Sequence, residues 1–359
     1  MTHDDRVRLL RELVEIESPS YSPGVRAVAE RMARELERLG GEVRILDGDH
    51  LQAEFAGEGA PLLLLGHTDT VWPLGTLERM PFRIADECAH GPGAYDMKGC
   101  LVVLTEAIKL AGDRRRALRV FLTADEEMGS RTARDHLGRA VEGAAAALVV
   151  EPPTSAGNLK TARKGLGRFR ITIAGRSAHA GTHRADGASA IEELAHLVLA
   201  LHALNDDERG VSVNVGVVRG GTSENVVAAE AEAQVDVRVA RREDLERMEG
   251  VLGSLAPVVR GTRLEVGGGW TRPPLERTPA SSRMFARAQA YARELGLELE
   301  DEASGGGSDG NLVGALGLPV LDGLGVEGAG AHAPDERVNL ASLPVRARLL
   351  ARLLRDPGI

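Results

Sequence analysis

Residues 62–65 are four consecutive leucines between Pro61 and Gly66, and the chain then reads His67-Thr68-Asp69-Thr70. A short apolar run without polar alternation suits a strand covered on both faces, the kind found in parallel sheets layered between helices. The run therefore points to an α/β architecture. Ligands of such open sheets sit beyond the carboxyl ends of the strands, which puts His67 and Asp69 near the mouth of any site. Extended backbone turns residues two apart to the same side. Asp69 is thus expected to hold one imidazole nitrogen of His67 and leave the other for a metal; a capped strand end is the plainer alternative.

The pattern recurs along the chain. Residues 118–123 read as an apolar strand running into Ala124-Asp125-Glu126-Glu127-Met128-Gly129-Ser130, and residues 145–150 as another ending at Glu151-Pro152-Pro153. Gly91-Pro92-Gly93-Ala94-Tyr95-Asp96 leads into an apolar helix over 99–110, with Asp96 at its entrance, where an N-cap is its simplest role. Carboxylates gathered at the ends of buried strands need partners or a metal. Helical stripes over 9–16 and 25–39, with strands at 42–46 and 52–55, complete the scaffold. His50, His136, His196 and His202 are read as surface or helix residues.

Between about Gly165 and Gly269 the pattern changes. Alternating strands over 168–174, 211–218, 231–239 and a short one at 262–266, with helices over 188–204 and 243–255, give the order β-α-β-β-α-β. That is a small four-stranded sheet with two helices on one face, inserted into the larger domain. The expected division is 1–164 and 273–359 for the first domain and 165–272 for the insert. Helices near 282–295 and 340–354 and a short strand at 318–321 resume the first style.

At 359 residues the chain has room for two such domains. Its 44 Lys plus Arg stand against 53 Asp plus Glu, a net charge of −9, and only 3% of residues are aromatic. No basic face interleaved with aromatics exists, which argues against nucleic acid. Cys88 and Cys100 have no metal-knuckle spacing. The start, Thr2-His3-Asp4-Asp5-Arg6, has no leader-like apolar stretch, and no segment reaches the length of a membrane span. The expectation is a soluble cytoplasmic protein without a membrane partner.

Taken together, His67-Thr-Asp69, Gly91-Pro-Gly-Ala-Tyr-Asp96-Met-Lys-Gly99, Thr123-Ala-Asp-Glu126-Glu127-Met-Gly-Ser130, Glu151-Pro152, Gly175-Arg-Ser-Ala-His179-Ala-Gly181 and Ala331-His332 resemble a known family in order and spacing. It is that of the co-catalytic zinc metallopeptidases: glutamate carboxypeptidase, aminoacylase, acetylornithine deacetylase and succinyl-diaminopimelate desuccinylase. The stretches 67–75 and 151–157 are most similar to the glutamate carboxypeptidase branch. The resemblance implies a three-layer zinc-peptidase-like catalytic domain with a ferredoxin-like lid and dimerisation domain. It also implies two zinc ions, with cobalt or manganese as substitutes. Asp96 would bridge them, His67 and Glu151 complete one site, and Glu127 and His332 complete the other. Three nitrogen or oxygen ligands with a place left for water is a common catalytic zinc arrangement.

Glu126 is then the general base. In extended backbone Glu126 and Glu127 would point opposite ways, one to the water and one to the metal. Arg238, on the polar side of the strand 231–239, is suited to a substrate carboxylate, as the one fixed cation expected of the site. Asn225 and Gly306 match positions that line the substrate pocket. Lys160 falls where the glutamate carboxypeptidase branch has a lysine, while Arg163-Lys164-Gly165 resembles other deacylases. In dimeric members the residue matching His179 crosses between subunits to steady the oxyanion, so a homodimer through the lid is expected. The implied reaction is amide hydrolysis of a small N-acyl amino acid or short peptide, releasing a carboxylate-bearing, glutamate-like amino acid. The rivals are an N-acyl amino-acid deacylase with another pocket and a catalytically silent peptide-binding relative.

Overall fold

The computed structural model describes all residues, 1–359. It divides into two compact units: Met1–Ala162 with Arg277–Ser304 and Ser308–Ile359, and Arg163–Glu276 with Gly305–Gly307. The chain therefore leaves the larger unit twice, once for the long insert and once for three glycines.

The larger unit is built on a six-stranded sheet in the order Glu42–Ile45, Leu51–Phe55, Arg116–Thr123, Glu58–His67, Ala146–Val149, Val320–Leu321. The last four strands are mutually parallel, and the second runs antiparallel to both of its neighbours. Leu62 to Leu65 are all fully buried. Leu62 and Leu64 join the main core with helices His3–Val14, Pro23–Arg38, Gly99–Ala111 and Ser342–Leu354. Short helices Arg134–Ala140 and Asp309–Ala315 pack on the sheet as well. Each buried leucine stabilises the fold by roughly 2 kcal/mol, enough for this strand to fix the layer order. Because His67 pairs with Thr123 and Leu65 with Val149, the segments that follow the three strands emerge along one edge.

A second, antiparallel sheet joins Gly328–Ala329, Arg337–Asn339, Cys88–His90 and Arg83–Ala85. Its hairpin between Ala329 and Arg337 carries His332.

The smaller unit has a four-stranded antiparallel sheet in the order Ser212–Gly220, Glu230–Val239, Gly165–Ala174, Arg263–Arg272. Numbered along the chain this is 2-3-1-4, the ferredoxin-like arrangement. Ile171, Ile173, Ala233, Val235 and Val237 line one sheet face and meet the helices Ala190–His202 and Arg242–Gly253. The final strand is longer than the sequence suggests, running on through Gly267-Gly268-Gly269 to Arg272. Glycine patterning hides this continuation, and Gly268 at φ 93° needs the left-handed region. No helix is long and apolar enough to cross a membrane.

Candidate metal centre

His67 ends its strand. Its Nδ1 lies 2.9 Å from the Asp69 carbonyl oxygen and 3.3 Å from Asp69 Oδ1. Its Nε2 faces Asp96 Oδ1 at 3.2 Å and Glu151 Oε1 at 3.6 Å. Since the strand stops at His67, the contact with Asp69 is made by the turn that follows and not by strand alternation. Asp69 does more than touch His67. Its Oδ1 accepts the N–H of Glu126, its Oδ2 that of Glu127, both at 3.1 Å, and Ser20 Oγ donates to Oδ2 at 2.6 Å.

Those two amides belong to a single 3-10 turn, Glu126–Met128. The extended backbone expected for Glu126 and Glu127 is absent, so strand alternation does not set their side chains apart. Ser130 at φ 54° closes it, with its hydroxyl and that of Thr123 donating to the buried Asp309.

Asp96 is not an N-cap. The helix starts at Gly99 with Lys98 in the cap position, and Asp96 has φ −114° and ψ 94° ahead of it, followed by a cis peptide to Met97. The carboxylate of Asp96 belongs to the segment ahead of the helix and not to its cap position. Its Oδ2 lies 3.4 Å from His332 Nε2, which also approaches Glu127 Oε1 at 3.2 Å. His332 reaches in from its hairpin at φ 62°.

The two oxygens of Asp96 thus face two different histidines. The donor atoms of His67, Asp96 and Glu151, and those of Asp96, Glu127 and His332, each lie within 4.8 Å of one another. Burial works against a charged His67. The hydrogen bonds to Asp69 and Asp96 and the field of Glu151 outweigh it and hold the imidazole pKa well above its usual value. The hydrogen bonds to Asp96 and Glu127 raise His332 to about 10. Burial opposes ionisation of Asp96 too, yet the two histidines keep its pKa below the usual carboxylate range. So much converging negative charge, with nitrogen and oxygen donors in two triads, is a setting that fits divalent cations.

Sequence reasoning missed two residues. Glu336, 1% exposed, accepts N–H bonds from Trp72 Nε1, Gly93, Tyr95 and Asp96; its surroundings in sequence, Pro334-Asp335-Glu336, carry no sign of this. His50, read as a surface or helix residue, is fully buried and outside any helix. Its Nδ1 accepts the Ala124 N–H at 3.1 Å, and its Nε2 lies 3.2 Å from Thr132 Oγ1. Burial lowers its pKa. The antiparallel pairing of Leu51 with Leu122, extended by one residue, would have found it.

The expected substrate residues belong to both units, Lys160 to the larger and Asn225, Arg238 and Gly306 to the smaller. Lys160, in the larger unit, is buried with Nζ donating to the Pro152 carbonyl at 2.7 Å. In the smaller unit, Arg238 donates through Nε to Asp236 Oδ1 at 2.9 Å and through Nη1 to the Gly305 carbonyl at 2.8 Å. Arg163 and Arg272 are also buried there, and Arg163 Nη1 donates to the carbonyls of Gly306 and Gly307 at 3.2 Å. Asn225 is exposed, with Oδ1 accepting from Ser223 Oγ at 2.8 Å. His179, also exposed, accepts the N–H groups of Gly181 and Thr182 on Nδ1, each at 3.1 Å. With Nδ1 engaged as an acceptor, Nε2 is the ring nitrogen left to donate.

Comparison with known proteins shows the family. The family described as Peptidase family M20/M25/M40 matches residues 63–356. Carboxypeptidase G2 of Pseudomonas sp. (strain RS-16) is 31% identical over 370 residues, covering 98% of this chain and 89% of that protein. Succinyl-diaminopimelate desuccinylase of Thioalkalivibrio sulfidiphilus is 28% identical, covering 98% of each. Among solved structures, an aminopeptidase PepT from Bacillus cereus superposes with a TM-score of 0.83 at 22% identity, over 99% of this chain and 98% of that one; it shares the fold. The chain belongs to Peptidase family M20/M25/M40 and is a hydrolytic enzyme of the metallopeptidase and amidohydrolase kind.

Proposed function

We propose that the protein hydrolyses an amide bond with two divalent metal ions, zinc by preference, and releases a carboxylate-bearing, glutamate-like amino acid. The observation that carries the reading is the pair of donor triads sharing Asp96. His67 and Glu151 would hold one ion with Asp96, and Glu127 and His332 the other. When bound, the ions supply Lewis acidity, polarising the amide carbonyl and lowering the pKa of a bound water toward about 7.

The chain's own residues do the rest. Glu126 takes a proton from the attacking water and passes it to the departing amine. Asp69 keeps His67 oriented and fixes the turn that presents Glu126. His179 supplies an Nε2–H donor to the developing oxyanion of the other subunit in a homodimer. Arg238, Asn225, Gly306 and Lys160 are assigned to substrate recognition, Arg238 to a free carboxylate.

The 31% identity to a carboxypeptidase supports release of a terminal amino acid. The likeness to a desuccinylase supports a second reading, an N-acyl amino-acid deacylase. A panel of N-acyl and peptidyl amino acids, each as free acid and as amide, separates them. Peptidyl glutamates should lead the panel in kcat/KM, and amidation next to the scissile bond should abolish most of the rate. Equal kcat/KM for acid and amide removes Arg238 from the pocket, and preference for simple N-acyl substrates establishes the deacylase.

A further inference from the structure

We propose that Glu336 is a positioning residue that sets the place of Asp96 and thereby governs both metal positions together; the inference rests on the two-metal reading above. The carboxylate is 1% exposed, and its charge is met by N–H groups. Oε2 accepts from Trp72 Nε1 at 2.7 Å and from Gly93 at 2.9 Å; Oε1 accepts from Tyr95 at 2.9 Å and from Asp96 at 3.0 Å. Two donors on each oxygen fill what an ionised carboxylate can take. Such charge-assisted bonds are short and directional, so they define where the backbone of Asp96 lies.

The same residue spans the segments that bear ligands. Trp72 lies three residues past Asp69, and Gly93, Tyr95 and Asp96 form the loop of the shared ligand. Glu336 itself follows His332 by four residues, with its N–H on the Ala333 carbonyl at 3.0 Å and its carbonyl accepting from Gly91 at 3.4 Å. Asp96 has a non-helical backbone, φ −114° and ψ 94°, ahead of the helix that begins at Gly99. Removing Glu336's grip therefore lets the one carboxylate common to both triads drift, whereas losing Glu127 or Glu151 affects a single triad. In Glu336→Gln the shape is kept, but the amide NH2 must face two N–H donors wherever it turns.

The test is a zinc titration of the metal-free full-length protein against a competing chelator dye, with unfolding midpoints recorded beside it. Wild type should bind in two steps. Glu336→Gln should weaken both steps in parallel by about 10- to 100-fold, and Glu151→Gln should weaken one. Adding Trp72→Phe to Glu336→Gln removes one opposed donor and should restore part of both affinities, a coupling that general loss of stability would not produce. If Glu336→Gln does not fold, Glu336→Asp keeps the charge, shortens the reach and should show the same parallel loss. Both steps within about threefold of wild type in a folded variant, or a loss at one step alone, overturns the proposal. A wild type binding fewer than two ions overturns the two-metal reading itself, and this inference with it.

Discussion

Asp69 Oδ1 accepts the backbone N–H of Glu126 at 3.1 Å, tying the residue beside one imidazole to the residue assigned as base. The turn bearing Glu126 and Glu127 is therefore fixed through its backbone, and its side chains can be altered without moving it.

Glu126→Gln should keep both metal ions while losing about 10²- to 10⁴-fold in kcat, since a base is removed and no ligand. Elemental analysis beside steady-state kinetics reads both. Turnover within a few-fold of wild type would transfer the role of base elsewhere.

Glu127→Gln and Glu151→Gln each remove one donor from one triad, so each protein should retain close to one tightly held ion. Asp96→Ala should retain neither, because both triads draw on it. Metal content after gel filtration distinguishes these outcomes, and a full complement in Asp96→Ala would mean that it is not the shared ligand.

His179→Ala should lose roughly a hundredfold or more in kcat with metal content intact. Mixed with Glu126→Gln under conditions of subunit exchange, it should regain a fraction of wild-type activity, since one site of the mixed dimer receives both an intact base and an intact histidine. Proven exchange without recovery excludes a role across subunits.

His50 makes the protein sensitive to acid. It is neutral in the fold, with Nδ1 accepting from Ala124, and it faces Asp125, Asp309 and His136, with burial holding its pKa below 6.5. The unfolded chain binds a proton here that the native state does not, so stability falls as pH drops from 6.5 toward the lower folded value. His50→Gln should unfold with a shallower dependence of midpoint on pH below 6.5 than wild type. Parallel curves would show that another group causes the decline.

Much of this centre is legible in the sequence because buried strands announce themselves and their ends carry the chemistry. Leu62 to Leu65, Val120 to Leu122 and Ala147 to Val149 are apolar without interruption, so His67, Glu127 and Glu151 stand out where the runs stop. What lies hidden is the backbone between them. The 3-10 turn at Glu126 and the non-helical Asp96 depend on acceptors supplied from far along the chain, Asp69 and Glu336, the latter 240 residues away. His50 stays hidden for the same reason: a polar residue at a strand start reads as exposed until its partner strand is known. The roles of Arg238 and Lys160 are obscured differently, since a cation's sequence context does not reveal the carbonyls and carboxylates that already engage it.

The three glycines 305–307 that join the smaller unit bear on how this protein can be recombined. Gly305 accepts from Arg238, and Gly306 and Gly307 accept from Arg163, although each arginine lies more than sixty residues upstream. A chimera that transplants 163–276 as one cassette leaves these carbonyls to a foreign host loop. The exchangeable module is two pieces of chain, and grafts that carry the glycine tract along with the insert should express and fold better than grafts that do not.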